Sequence, residues 1–327
     1  MPHVLILKPI HPDAIALLES SGCSVEVLED LSWPVMQPAL ARAEAIIVRL
    51  HPIGEREVAA APRLRVVARH GAGYDTVDVA ALTRRGILLT ITPEANSDAV
   101  AEHTILLMLA AARHLPENMA LLREGRWGQE PPRIGREIGR RSLLIIGFGR
   151  SGQRVARIAR GFGMRVLVHD RPAKAAAIEA AGCRPAPDLF AALAVADVVS
   201  LHCPATERTR GMVDRRFLAA MKPGAILINT ARGSLLDEAA VAEALWQGRL
   251  AAAGLDVFAE EPVPLNNPLL AAPNVVLTPH VAAGSTEAMR NMAMGAAEAV
   301  LAVFAGRPDP AVVVNRELLL PGEASLT

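Results

Sequence analysis

Short apolar runs recur along this chain, and stretches with helical spacing separate them. In order, Val4–Leu7, Ser24–Leu28, Ala45–Arg49, Leu64–Arg69 and Ile87–Thr90 read as strands. Pro12–Ser20 and a stretch around Glu55–Ala61 carry helical periodicity between them. Near-continuous Val/Ile/Leu runs alternating with short helices mark βαβ units and parallel sheets buried on both faces. The pattern resumes after residue 140. Leu143–Ile146, Met164–His169, Asp197–His202, Ala225–Asn229, Ala251–Asp256 and Val275–Thr278 read as further strands. Ala173–Ala181, Leu189–Leu193, Phe217–Met221 and Asp237–Gln247 are expected to be helical, with Asp237 as a cap and Gly248 near the stop.

Two segments depart from this rhythm. The run AVAEHTILLMLAAA is apolar nearly all round, so a helix from Ser97 or Asp98 to about His114 is expected to be buried between domains or subunits. Glu102 and His103 lie on it, and a mutually satisfied structural pair is the expectation for them. Arg123–Arg141 is rich in Arg, Gly and Pro and reads as an irregular arm, on which Trp127 suits a dimer contact. A Met- and Ala-rich helix starting at Ser285 or Thr286 and running to about Phe304 is expected to return to the first domain.

The most informative stretch is Ser142–Asp170. A buried strand leads into Gly147, Gly149 and Gly152 in G-x-G-x-x-G spacing, then a helix with Val155, Ile158, Ala159 and Phe162 on one face, then a strand ending at Asp170. Gly147 permits the tight turn, Gly149 lets backbone amides approach a pyrophosphate, and Gly152 lets helix pack on strand. The free N–H groups of the helix then face the phosphates. Asp170, 18 residues past Gly152, suits the ribose hydroxyls and repels a 2′-phosphate, which favours NAD(H). Arg171 beside it offsets part of that repulsion and leaves NADP(H) open.

Composition narrows the class. With 34 basic and 34 acidic residues the formal charge is zero, which gives no electrostatic case for nucleic acid or a membrane surface. The 3 cysteines have no C-x-x-C pairing, and their odd number fits a reducing cytoplasm better than a disulfide framework. The amino-terminal MPHVLILKP is a strand pattern, not a signal peptide. No metal site is expected.

Chemistry-bearing residues gather at strand ends. Arg49 and Arg69 close two apolar strands, and Gly71, Ala72 and Gly73 follow in a loop of exposed amides, an arrangement suited to an anionic ligand. Arg232, Glu261 and His280 together supply what ketone reduction by a nicotinamide needs. The arginine holds a 2-keto carboxylate, the histidine delivers a proton to the alkoxide, and the carboxylate orients the histidine.

The segments GAGYDTVD at 71–78, PEANSDAVAEHT at 93–104, GFGRSG at 147–152, HCP at 202–204, KPGAILINTARGSLLDE at 222–238, GLDVFAEEP at 254–262 and TPH at 278–280 resemble the D-isomer-specific 2-hydroxyacid dehydrogenase family across nearly the whole chain. That family includes phosphoglycerate dehydrogenase and the hydroxypyruvate and glyoxylate reductases. The resemblance implies two Rossmann-like or flavodoxin-like domains. A substrate-binding domain of residues 1–93 and 286–327 would be split by an NAD-binding domain of residues 94–285, with a homodimer built on about 95–140. It implies Arg232 as the substrate-binding arginine and Glu261, not the adjacent Glu260, as partner of the acid/base His280. Arg150, Ser151, Asp170, Cys203, Pro204, Thr230 and Asp256 match cofactor-contacting positions.

Arg49 and Arg69 match arginines of phosphoglycerate dehydrogenases, which favours an acidic or phosphorylated substrate. The chain ends soon after its last helix, without the regulatory extension many of them carry. A hydroxypyruvate or glyoxylate reductase is the alternative. From another class, the same fold resembles NAD-gated co-repressor scaffolds, and a dehydrogenase of a non-carboxylate substrate is a third reading.

Overall fold

In a computed structural model, described here for residues 1–319, the apolar runs form two parallel sheets. The chain divides into two compact units, Met1–Asn96 with the segment from Gly284 onward, and Ser97–Ala283.

The first unit contains β1 (His3–Leu7), α1 (Pro12–Ser20), β2 (Ser24–Leu28), α2 (Trp33–Leu40), β3 (Ala45–Val48), α3 (Glu55–Ala60), β4 (Val66–Arg69), α4 (Val79–Arg84) and β5 (Leu88–Thr90). Its strands lie in the order β2-β1-β3-β4-β5, all parallel. Both faces are covered. Leu5, Leu7, Ile46 and Val48 enter one core, and Val4, Ile6, Ala45 and Ile47 enter the other. The sequence pattern passes over α2 and α4. In α2 a proline stands near the start and Pro38 lies inside, yet Met36, Ala39 and Leu40 are buried.

The second unit opens with α5 (Ser97–Ala112) and α6 (Leu115–Arg123), parted at His114, whose φ is 50°. Helix α6 ends where the expected arm begins, at Arg123, and the sequence does not announce it, since Pro116 reads as a breaker. There follow β6 (Ser142–Ile146), α7 (Arg150–Gly161), β7 (Arg165–His169), α8 (Ala175–Ala180), β8 (Arg184–Pro185), α9 (Leu189–Val195), β9 (Val198–Leu201), α10 (Arg215–Ala220), β10 (Ala225–Asn229), α11 (Glu238–Trp246), β11 (Leu250–Leu255) and β12 (Val275–Leu277). Phe162 caps α7 and is exposed, so it falls outside the buried face expected to contain it.

The strand order is β12-β11-β10-β9-β6-β7-β8. Alternate residues of each strand feed two cores, Leu144, Leu227 and Leu255 on one face and Leu143, Ile145 and Ile228 on the other. Helix α5 is buried within this unit, against α7, β10 and β11. Glu102 is exposed, and His103 bonds elsewhere, so the two do not form the expected pair. A last helix, α12 (Thr286–Phe304), capped by the Ser285 side chain, lies against α1, β3 and β4 of the first unit. Among the described residues no single helix is long and apolar enough to cross a membrane.

At the amino ends of the second unit's strands, Asp197 binds Lys222 Nζ at 2.6 Å and the amide and hydroxyl of Ser142, each at 2.9 Å. Burial pushes its carboxyl up, but these donors outweigh burial and bring it down from 3.8 to about 2. A depressed carboxylate contributes stability above its unfolded value and loses it as pH falls through the folded one. Asp197→Asn should thus cost on the order of 1–2 kcal/mol at pH 7, given the half-exposed Lys222. In calorimetry the gap in melting temperature should be constant above about pH 4 and close towards pH 2. A gap that persists unchanged at the lowest pH would contradict this account.

Candidate active site

In both units the polar residues of interest follow the carboxyl ends of parallel strands, where open α/β sheets place ligands. In the second unit, β6 runs into the glycine loop. Gly147 has φ +100°, and a Cβ there would lie 2.7 Å from the His202 and Cys203 backbone. A Cβ at Gly152 would lie 2.2 Å from the Gly147 carbonyl oxygen, so only glycine lets α7 start this close to β6. A Cβ at Gly149 would meet nothing within 4 Å. The loop is therefore closed against protein on two sides and open at Gly149, where the N-terminus of α7 begins with Arg150 and Ser151. Such a cradle fits a pyrophosphate.

Asp170, just past β7, accepts the Phe148 amide at 2.5 Å and the Arg171 amide at 2.6 Å. The glycine loop and the candidate ribose acid are thus tied directly. Past β9, Cys203 is pushed up to about 11 by burial, with Asp170 adding to the effect, so it stays a thiol at neutral pH. Pro204 is exposed beside it. Past β10, the Thr230 hydroxyl lies 2.8 Å from that of Thr104 on α5. Thr104 gives its own proton to the Val100 carbonyl, so Thr230 is the donor to Thr104.

Arg232 follows, with its Nη1 donating to the Ala231 carbonyl at 2.6 Å. The Asn229 side chain shapes this loop by donating to the Arg232 carbonyl at 2.9 Å and accepting from the Ala231 amide at 3.0 Å. Gly233 packs directly on the backbone of Phe258 and Ala259, where its missing Cβ would stand 1.8 Å from the Phe258 carbonyl carbon. The Arg232 loop is thereby pressed against the loop that carries Glu261.

Glu261 and His280 meet. Glu261 Oε2 lies 2.6 Å from His280 Nδ1, and Oε1 accepts the Phe258 amide at 3.0 Å. Burial raises the Glu261 carboxyl, but the bonds from His280 and Phe258 hold it below its ordinary value. An ionised carboxylate only accepts, so Nδ1 carries the proton and Nε2 is left for exchange. Glu260 makes no such contact with the ring. Asp256, expected at a cofactor contact, is fully buried and turns its carboxylate to the His280 turn, accepting from the amides of Val281 and Ala282 at 2.9 Å each.

In the first unit, Arg69 ends β4 and Arg49 follows β3, and Arg69 pairs with Val48 in register. Arg69 Nη1 bonds the His70 carbonyl. Gly71 has φ +131°, and a Cβ there would sit 3.4 Å from Arg69 Nη1, so the guanidinium folds over the loop. The Gly71 amide donates to Thr92 Oγ1 at 2.9 Å, which fixes the loop, while Ala72 and Gly73 are half-exposed. His70 is buried and falls to about 4, chiefly through burial and then through the Arg49 charge, with Arg69 adding to it. It is neutral near pH 7, and Arg49 and Arg69 both act on the one loop. The residues around His70 in the sequence do not announce its burial.

A glycine cradle, an acid just past β7 and a carboxylate–histidine dyad thus stand at the carboxyl edge of one parallel sheet, an arrangement suited to a nucleotide and to proton exchange. The chain belongs to the D-isomer specific 2-hydroxyacid dehydrogenase family, whose NAD-binding-domain model matches residues 105–282. It is 39% identical over 307 residues to a D-3-phosphoglycerate dehydrogenase of Methanocaldococcus jannaschii, covering 94% of this chain and 58% of that protein. The chain thus spans about three fifths of that relative's length. It is also 39% identical over 330 residues to a glyoxylate reductase of Aeropyrum pernix, covering 97% of each. Among solved structures, an NADPH-dependent glyoxylate/hydroxypyruvate reductase of Sinorhizobium meliloti superposes with a TM-score of 0.85 at 33% identity, covering 96% of this chain and 98% of that one.

Proposed function

We propose that this chain interconverts a D-2-hydroxy acid and its 2-keto acid with NAD(H), and that the substrate is acidic or phosphorylated, as for a phosphoglycerate dehydrogenase. The observation that carries the reading is the 2.6 Å contact between His280 Nδ1 and Glu261 at the carboxyl edge of a nucleotide-binding sheet. A nicotinamide cofactor held by the glycine loop would supply or take the hydride. His280 Nε2 gives a proton to the carbonyl oxygen in reduction and takes it from the hydroxyl in oxidation. Glu261 holds the ring by Nδ1–H and stabilises its charged form. Arg232 takes the substrate carboxylate. Gly147, Gly149, Arg150, Ser151 and Gly152 hold the pyrophosphate, with Cys203, Pro204 and Thr230 lining the same edge. Arg49, Arg69 and the amides of Gly71, Ala72 and Gly73 bind the acidic end of the substrate; they belong to a substrate-binding domain of 1–93 and 286–327, split in sequence by an NAD-binding domain of 94–285.

Asp170 supports a preference for NAD over NADP. Arg171 beside it, with 84% of its side chain exposed, favours a 2′-phosphate. A homodimer on the 95–140 segment completes the reading, supported by the large apolar side chains of Leu106, Leu122, Trp127 and Ile134, all exposed in that segment. A monomer mass in light scattering would remove that part. Three free cysteines support a reducing compartment such as the cytoplasm.

The second reading, a glyoxylate or hydroxypyruvate reductase, is favoured by the full-length match to the Aeropyrum pernix protein. A panel of 3-phosphohydroxypyruvate, hydroxypyruvate, glyoxylate and pyruvate, read by NADH and NADPH oxidation, separates the two. Preference for the phosphorylated acid with NADH supports the first reading, and preference for glyoxylate or hydroxypyruvate the second. No turnover on any of them, with NADH bound, would overturn both and favour a scaffold or a non-carboxylate substrate.

A further inference from the structure

The His280 turn is held by a short chain of hydrogen bonds through Asp256 and Thr278. The His280 amide donates to the Asp256 carbonyl at 2.7 Å, and the next two amides donate to the Asp256 carboxylate at 2.9 Å. His280 itself has φ +51°, a left-handed conformation uncommon outside glycine and kept only where its surroundings hold it. Three successive N–H groups thus hang on one residue, itself fixed at the end of β11 by its amide bond to the Asn229 carbonyl at 2.9 Å.

What keeps the Asp256 carboxylate aimed at this turn comes from α5. Thr278 Oγ1 donates to Asp256 Oδ1 at 2.6 Å, and His103 Nε2 lies 3.0 Å from Thr278 Oγ1 and 3.5 Å from Asp256 Oδ1. A hydroxyl has one proton. Thr278 spends it on Asp256, so it accepts from His103, and His103 must carry its proton on Nε2. Asp256 is fully buried and the His103 side chain is 14% exposed. A buried carboxylate stays ionised and in place only while its donors are complete. His103 is a donor supplied from 175 residues away in sequence.

We propose that His103 is a positioning residue for the acid/base histidine: through Thr278 and Asp256 it sets the 280–282 turn and hence where the His280 ring stands. This rests on the reading that His280 handles the proton, and it adds to that reading a residue that acts through Thr278 and Asp256. Removing the donor leaves Thr278 and Asp256 underbonded, loosens the turn and displaces the ring. A displacement of this kind costs the chemical step roughly 10- to 100-fold, without touching the glycine cradle.

The test uses the whole chain, with His103→Leu, His103→Gln and Thr278→Val. Amide exchange by mass spectrometry, read on a peptide spanning residues 279–283, needs no activity. Exchange should quicken in His103→Leu and Thr278→Val and return towards native in His103→Gln, whose side-chain amide again donates. In NADH-driven reduction of the best 2-keto acid, kcat should fall 10- to 100-fold in the first two variants. The NADH dissociation constant should stay within about twofold, and the primary isotope effect with 4-deuterated NADH should rise as the chemical step becomes limiting.

Native exchange in both His103→Leu and Thr278→Val overturns the proposal. So does quickened exchange with kcat and isotope effect unchanged, or a loss confined to melting temperature and NADH affinity, which a merely structural residue would give. If the native chain shows no turnover, or His280→Ala turns over like native, the functional reading has failed instead, and exchange alone decides whether His103 sets the turn. Should His103→Leu not fold, Thr278→Val breaks the same chain one link further on and carries the same expectations.

Discussion

Replacing His280 by alanine should lower kcat for 2-keto acid reduction by about 10²- to 10⁴-fold, the usual worth of a positioned acid/base group. NADH affinity should stay within about twofold. The argument is local. The ring touches Glu261 at 2.6 Å by Nδ1, while the glycine cradle and Asp170 lie on other strands. Losing the ring removes the proton donor and leaves the cradle intact. Stopped-flow single turnovers with NADH, beside a direct NADH titration, separate the two quantities. A kcat within threefold of native would remove His280 from the chemistry, whereas a collapse of NADH binding would mean that the turn supports the cofactor instead.

Gly233→Ala should be the most damaging single-methyl change on this edge. A Cβ there would stand 1.8 Å from the Phe258 carbonyl carbon and 2.4 Å from the Ala259 nitrogen. These are backbone atoms and no rotamer relieves the clash, so the loops bearing Arg232 and Glu261 must part. A shift of about 1 Å costs roughly 10²-fold in rate, and kcat/KM should fall at least that far, with a lower melting temperature. Gly161→Ala is the control. It ends α7, meets nothing within 4 Å, and should be neutral or stabilise by about 0.4–1 kcal/mol. Equal behaviour of the two variants would refute the packing account.

Much of this was legible before any coordinates. Each apolar run read as a strand is one, because a parallel strand buried on both faces has little freedom in composition. The glycine loop was legible because each glycine answers a separate steric demand, and Gly147 and Gly152 show those demands as near contacts. Helix α2 was missed because Pro34 and Pro38 read as breakers. In eight residues, though, most N–H groups near the start have no partner to lose, and burial of Met36 and Leu40 outweighs the rest. Helix α6 was missed for a similar reason at Pro116. His103 was assigned to the wrong partner because its neighbour in sequence, Glu102, points to solvent, while Thr278 comes from the far end of the unit. Local periodicity carries no information about such a contact. For Asp256 the motif gives its place on the sheet edge, and the structure adds the direction of its lone pairs, towards the His280 turn.

The strand order has a consequence for how such a protein can change. Asp170 follows β7, while Asp256 and His280 follow β11 and β12, and β6, β9 and β10 lie between. Four strand spacings of about 4.8 Å put roughly 19 Å between β7 and β11. Substitutions that far apart, without shared partners, usually add. On the proposed reading, nucleotide choice and proton chemistry are therefore separately heritable here. A lineage can retune one flank of the sheet, residue by residue, without first passing through a form that has lost the other.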